Sequence, residues 1–333
     1  MRTNAPDDHP FAKYVRILAK GKTGSRALSE DEAYKAFKMI LENKVEDVQL
    51  GAFLMLLRVK EETASELAGF VQASRESMSL PIVIPSVTLD WSSYAGKKKH
   101  YPWYLLSALL LAQQGVRVFM HGAAGHTEGR IYSEVVLSAL GITPARSWQD
   151  VEAQLDSIGF SFMPLSSFCP RLDQIIRLRP LMGVRSPVHT LSRLLNPTAA
   201  PFSLQSIFHP SYGDNHQLAA ALLNQENAMV FKGEGGEVER RPEAEVKTKT
   251  LRNGMFSEQL WPKLLEGRQL GPKTISPEYI SSVWRGQLQD TYAEAAVIGT
   301  TAFALFLLNE TMGVEQSTEQ ARVYWMNRNT SAI

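Results

Sequence analysis

Three groups of side chains in this 333-residue sequence have the types and spacing to do chemistry. The first is Lys97-Lys98-Lys99-His100, interleaved with Trp91, Tyr94, Tyr101 and Trp103. The second runs from Arg171 to Arg193 and holds five arginines (171, 177, 179, 185 and 193), one aspartate and no glutamate or lysine. The third is Lys232 followed by EGGEVE, which offers the carboxylates of Glu234, Glu237 and Glu239. A lysine-rich loop close to several arginines suits an extended polyanion, because each cation neutralises a phosphate and releases a counterion. The interleaved rings would stack on unpaired bases. The plainer alternatives are a solvated lysine loop, a structural ion-pair network of Arg177 and Arg179 with Asp173, and Trp91 and Trp103 as core residues. His121, His126, His189, His209 and His216 lack metal-ligand spacing supported by carboxylates and are expected to be structural. The lone Cys169 excludes an internal disulfide framework and any cysteine-based zinc site.

Positioning these groups requires a sizeable fold, and the composition supplies one. The chain is 44% apolar and 21% charged, with 35 basic against 34 acidic side chains and a net charge of +1. That describes a globular protein, so any polyanion site must come from local segregation of charge. Residues 11–80 read as consecutive helices. Ser29 and Glu32 have capping-box spacing, Asp47 is placed to cap a helix bearing Leu50, Phe53, Leu54 and Leu57, and Thr63 and Glu66 repeat the box. Beyond the Pro-containing stretch at 80–86 the pattern alternates: strand 87–91, helix 102–114, strand 116–120, helix 131–140 closed by Gly141, strand 228–231 and helix 293–311. This alternation predicts a mostly parallel sheet covered on both faces. The segment 234–252 mixes charges of both signs and is expected to be an exposed loop or hairpin, with Glu237, Glu239, Glu243 and Glu245 opposing Arg240 and Arg241. The uncharged stretch Ala295–Asn309 is too short to span a bilayer and reads as a buried core helix. With no apolar h-region near the start and one cysteine, a cytoplasmic protein without a membrane partner is expected.

The segment 28–70, with VEDVQLGAFLMLLR and KEETASELAGF as its idiosyncratic parts, resembles the helical N-terminal domain of anthranilate phosphoribosyltransferase. GVRVFMHG (115–122), RPLMGVRSPVHTLSRLLNP (179–197) and AMVFKGEGGEVE (228–239) resemble later segments of that family in the same order. The resemblance implies a small all-helical domain from 1–82 plus about 165–195. It also implies a larger α/β domain from 83–164 and 196–333 with a mostly parallel central sheet, and pairing of two copies through the helical domain. The apolar face of Leu50, Phe53, Leu54 and Leu57 is the expected dimer surface.

Phosphoribosyl transfer in such a family needs backbone N–H groups around pyrophosphate, oxygen ligands for Mg²⁺ and an acceptor site. Where the family has its glycine-rich cradle, this chain keeps only Gly96, with Ser92, Tyr94 and three lysines around it, and has Pro102 and Tyr104 at the helix start that follows. His121 and Gly122 of the next loop persist, whereas the residues up to Arg130 differ from the family's short run. Glu237 and Val238 fall at the paired acidic motif, leaving one carboxylate for the metal, and Lys232 replaces a histidine. Arg179 matches the acceptor-binding arginine. Ser92, Gly96, His121, Gly122 and Arg179 therefore outline a vestigial substrate cleft without catalytic or metal-binding residues.

The leading expectation is a cofactor-free, homodimeric, non-catalytic relative that binds DNA or RNA with little sequence preference. Its contacts would be Lys97, Lys98, Lys99, His100, Arg130, Arg171, Arg177, Arg179, Arg185, Arg193 and Lys232. The alternative is a phosphoribosyltransferase with altered donor binding that uses Mg²⁺ and phosphoribosyl pyrophosphate. A third reading is a scaffold whose cleft is vestigial.

Overall fold

The computed structural model describes residues 8–21, 23–267, 271 and 276–331. Four helices open the chain: α1 (Ala12–Ala19), α2 (Glu30–Leu41), α3 (Asp47–Lys60) and α4 (Ala64–Glu76). Both predicted capping boxes form. The Ser29 hydroxyl accepts the Glu32 N–H at 3.2 Å while the Glu32 carboxylate accepts the Ser29 N–H at 2.9 Å, and Thr63 and Glu66 reciprocate at 3.3 and 2.9 Å. Glu66 also accepts the Leu28 N–H at 2.9 Å, so one cap ties two helices together. α2 and α4 lie close enough that a Cβ on Gly69 would sit 2.3 Å from the Glu30 carbonyl oxygen. The start of α3 differs from expectation by one residue: Glu46 is the N-cap, Asp47 lies in the first turn, and the Gln49 side chain accepts the Glu46 N–H at 3.2 Å. Leu50, Phe53, Leu54 and Leu57 are buried within the single chain, so they are not the free dimer face expected of them. What α3 leaves outside is the stripe Val48, Met55 and Val59.

The sheet has the order β3-β2-β1-β4-β5-β6-β7, built from β1 (Leu89–Ser93), β2 (Val118–Gly122), β3 (Phe160–Pro164), β4 (Phe202–Ile207), β5 (Asn227–Lys232), β6 (Val246–Arg252) and β7 (Met255–Trp261). The first five are parallel, and β6–β7 is an antiparallel hairpin added to β5. Connecting helices are α5 (Tyr104–Gln113), α6 (Ser133–Ala139) and α7 (Trp148–Ile158). Four short ones follow β3: α8 (Leu165–Phe168), α9 (Pro170–Ile176), α10 (Arg179–Met182) and α11 (Val188–Leu191). Then come α12 (Gly213–Leu222), α13 (Pro277–Trp284), α14 (Thr291–Leu308) and α15 (Val314–Met326). Gly141 closes the turn after α6 in the left-handed region at φ +80°, as its predicted role requires. β1 and β2 lie two residues later than the periodicity suggests. Part of 234–252 is not exposed loop: β6 pairs on both edges, and Glu237, Val238, Glu239 and Arg240 are buried.

Two apolar clusters flank the sheet. One joins α1–α4 and α8–α11 to a face of the sheet through Phe119, Trp148, Ala219, Ala228 and Leu251. The other packs α5 and α14 against the opposite face. α14 is long and apolar enough to cross a membrane by length and composition, but most of it is buried between the sheet and α15. Because β1, β2, β4 and β5 are parallel, the loops after them gather at one sheet edge, where such folds bind ligands.

Candidate functional site

The loops after β1 and β5 are clasped together by buried charge. The Glu237 carboxylate accepts the N–H groups of Ala95 (2.7 Å) and Gly96, the latter in the left-handed region at φ +68°. Lys97 is completely buried, and its ammonium pairs with Glu234 and, at 2.6 Å, with Glu239. The second oxygen of Glu239 accepts the Tyr104 N–H at 2.9 Å. Burial works to lower the Lys97 pKa, but Glu239 and Glu234 outweigh it and hold the ammonium charged. Burial pushes the Glu239 carboxyl up to about 7 against the pull of Lys97. It also raises Glu237, opposed first by the Gly96 N–H. Arg130 donates to the carbonyls of Ala95, Gly96 and Gly235 at 3.0, 2.7 and 3.0 Å, closing the clasp from the side of the β2 loop.

Several expected contacts are therefore structural. Lys97 cannot reach a phosphate because its charge is spent on two internal carboxylates. His100 is buried and stacks on Tyr292 at 4.3 Å. Trp91, Tyr94, Tyr101 and Trp103 are core residues and offer no stacking platform. Ser92 is buried, and His121 lies between the Tyr94 hydroxyl (2.7 Å) and Asp90 (3.1 Å). Gly122 passes so close to β1 that a Cβ would meet the Ser93 carbonyl oxygen at 2.1 Å. The Tyr104 hydroxyl joins Ser93 and Ser133 in a buried network with contacts of 2.7–3.2 Å.

The arginines divide. Arg171 sits against α2 and donates to Gln174 at 3.1 Å, away from the sheet edge. Arg177 pairs with Asp173 at 2.6 Å, as the plainer reading of that spacing anticipates. Arg193 is buried and donates to the carbonyl oxygens of His189 and Gly236. Arg179 donates to the His126 carbonyl at 3.2 Å and keeps a buried Nε without a partner among the described residues. Partly buried Arg185 forms no ion pair among the described residues. Its pKa falls to about 10, chiefly through burial and then through the positive Arg193, Arg130 and Arg179. Burial, reinforced by Arg185, pushes His126 down to about 4, and His189 also falls well below its ordinary range through burial. Four guanidinium groups and two neutral imidazoles thus occupy one corner of the cleft.

Beside the clasp, a groove of about 720 Å³ opens between the ends of β4, β5 and β6. Lys98, Lys99 and Lys232 line it, are exposed, and form no ion pair among the described residues. Arg130 lines it too and links it to the arginine corner. Sequence reasoning missed Lys247 and Lys249 in its wall, both held by Glu258, and also Phe208. Alternation in VKTKTLR was the available signal for the lysines, since Val246, Thr248 and Thr250 point inward.

A helical bundle joined to a largely parallel sheet with this edge cleft is the architecture of anthranilate phosphoribosyltransferases. The structure of the Thermus thermophilus enzyme superposes with a TM-score of 0.76 over 94% of both chains at 23% identity. That of the Saccharomyces cerevisiae enzyme in complex with PRPP and Mg gives 0.77 over 96% of this chain and 94% of that one at 16% identity. Residues 13–78 match the helical bundle domain of the glycosyl transferase family, and 104–322 match its a/b domain. The anthranilate phosphoribosyltransferase of Methylocella silvestris is 32% identical over 72% of this chain and 68% of its own length. The protein YbiB of Escherichia coli, described as uncharacterized, is 31% identical over 70% and 73%. The chain belongs to this glycosyl transferase family.

The magnesium ion and phosphoribosyl pyrophosphate that the family implies do not fit the residues present. An ammonium already sits between Glu234 and Glu239, and a carboxylate already takes the Ala95 and Gly96 N–H groups that a phosphate would need. Val238 is buried in the core, and the described residues contain no group of three His, Cys, Asp or Glu able to hold a metal.

Proposed function

We propose that this protein binds the sugar-phosphate backbone of nucleic acid, with little sequence preference, in the groove lined by Lys98, Lys99 and Lys232, and that its cleft does not transfer phosphoribosyl groups. The observation that carries the reading is three exposed lysines on one groove that form no ion pair among the described residues, continued through Arg130 to the arginine corner. Among the described residues no helix or finger stands ready to read base edges, so the contacts are to phosphate and carry no sequence information. The competing reading, a phosphoribosyltransferase with altered donor binding, requires Lys97 to leave its two carboxylates and Glu237 to release the Ala95 and Gly96 N–H groups. Homodimerisation is part of the proposal, with the Val48, Met55 and Val59 stripe of α3 as the pairing surface.

The test is a salt titration. Changing Lys98, Lys99 and Lys232 together to Ala should weaken every duplex by a similar factor. It should also flatten the slope of log K against log salt by roughly 0.9 per lost contact, or about 0.7 on single strands. An unchanged slope in a folded variant would reject the groove. Magnesium-dependent binding of phosphoribosyl pyrophosphate by the wild-type protein would restore the enzyme reading.

A further inference from the structure

Within the groove one ring is open to a ligand. Phe208 follows the last residue of β4 and is 47% exposed, whereas Phe231, the other aromatic residue lining the groove, is 1% exposed. The ring lies beside the β5 loop: a Cβ on Gly236 would come within 3.5 Å of its Cδ2, and His209 meets it edge-on at 4.9 Å. Gly236 has φ +89°, a conformation that keeps this floor free of a side chain. Lys98, Lys99 and Lys232 line the same groove.

We infer that the groove selects single-stranded over double-stranded nucleic acid, with Phe208 as the platform on which an unpaired base stacks. The inference rests on the nucleic-acid reading of this groove. Cations at the rim follow the backbone, and a half-exposed ring among them contacts a base face only if that base is unpaired, because a duplex keeps its base faces stacked on each other. Stacking on an aromatic residue is tolerant of base identity, which agrees with the absence of a base-reading element among the described residues. The aromatic residues near Lys97 that first suggested stacking are buried, so the role falls to a residue about 110 positions further along the chain.

Anisotropy titrations with a short oligodeoxythymidylate and a duplex of equal phosphate number test this, alongside a strand carrying 2-aminopurine. The wild-type protein should bind the single strand more tightly and quench the 2-aminopurine. Phe208→Ala should weaken single-strand binding by roughly ten-fold or more. It should abolish the quenching, yet keep the duplex affinity and the salt slope. Phe208→Trp should restore both single-strand affinity and quenching. Single-strand affinity and quenching unchanged in Phe208→Ala would overturn the inference, as would an equal loss on duplex, which would make Phe208 a wall of the groove. The lysine variant separates the two levels: if it loses both ligands while Phe208→Ala loses neither, the groove stands and the stacking falls. If the lysine variant loses neither ligand, the groove reading itself falls.

Discussion

Replacing Lys97 by Met is the most informative single change, because it deletes a charge while keeping most of the stem volume. Lys97 is completely buried, Glu239 completely buried and Glu234 nearly so, and no other cation pairs with either carboxylate among the described residues. Removing one partner of such a group leaves uncompensated buried charge, which costs about 3–5 kcal/mol. The loss should depend on pH with a definite sign. Glu239 already titrates near 7, above its ordinary value, so the folded state holds that proton more tightly than the unfolded chain. A carboxyl raised in this way favours folding at low pH and loses that contribution as pH rises through its folded pKa. Without Lys97 the Glu239 carboxyl is pushed further up, and Glu234 loses the attraction that now holds it below its ordinary value. The destabilisation should therefore be largest near about pH 8 and shrink towards about pH 5, where protonation removes the buried charge. Denaturant melts of the variant and wild type across this range measure it, with oligonucleotide titrations run in parallel. Lys97→Met should keep the salt slope of binding, unlike Lys98→Ala. A loss below about 0.5 kcal/mol near pH 8, the range of an ordinary surface substitution, would refute the clasp. So would a reduced salt slope, which would return Lys97 to the groove.

Two further predictions concern other parts of the fold. Glu62, on the turn between α3 and α4, is raised to about 7 chiefly by burial, and its Oε2 lacks a partner among the described residues. It costs stability above its folded pKa and nothing below its unfolded one, so Glu62→Gln should gain ~2 kcal/mol on wild type between about pH 5 and pH 8.5, read from paired melts; a pH-independent difference would contradict this. On α3, Val48 and Val59 are 79% and 80% exposed. Light scattering should give twice the 37.1 kDa chain mass for the wild-type protein and a monomer for Val59→Glu. A wild-type monomer at micromolar concentration would remove the pairing surface.

What could be read from the sequence was local. The Ser29–Glu32 and Thr63–Glu66 boxes and the Gly141 turn appear as expected, and Asp173 pairs with Arg177 as the plainer alternative had it; each depends on residues three or four apart or on one backbone conformation. The family resemblance carried the fold. The site was less legible because three identical neighbours have different fates. Lys97 turns inward to carboxylates 137 and 142 residues away, while Lys98 and Lys99 stay outside. No spacing rule registers a partner at that distance. β3 and β4 escaped notice because each is short and carries polar residues. β6 was hidden by its lysines, although their alternation with Val and Thr marks one outward face.

The apolar cluster that runs without a break from α1–α4 through α8–α11 onto the sheet has a mechanical consequence. Swinging the helical part away would expose the shared surface at about 25 cal/mol for each Å² uncovered. The arginine corner, with Arg179, Arg185 and Arg193 on the helical part, is therefore set against the sheet before a ligand arrives, and little binding energy is diverted into rearrangement. Capture should then be governed by encounter, which the rim charges accelerate at low ionic strength, and not by a closing step. A protein built this way can load and unload a strand quickly as salt or competing cations change.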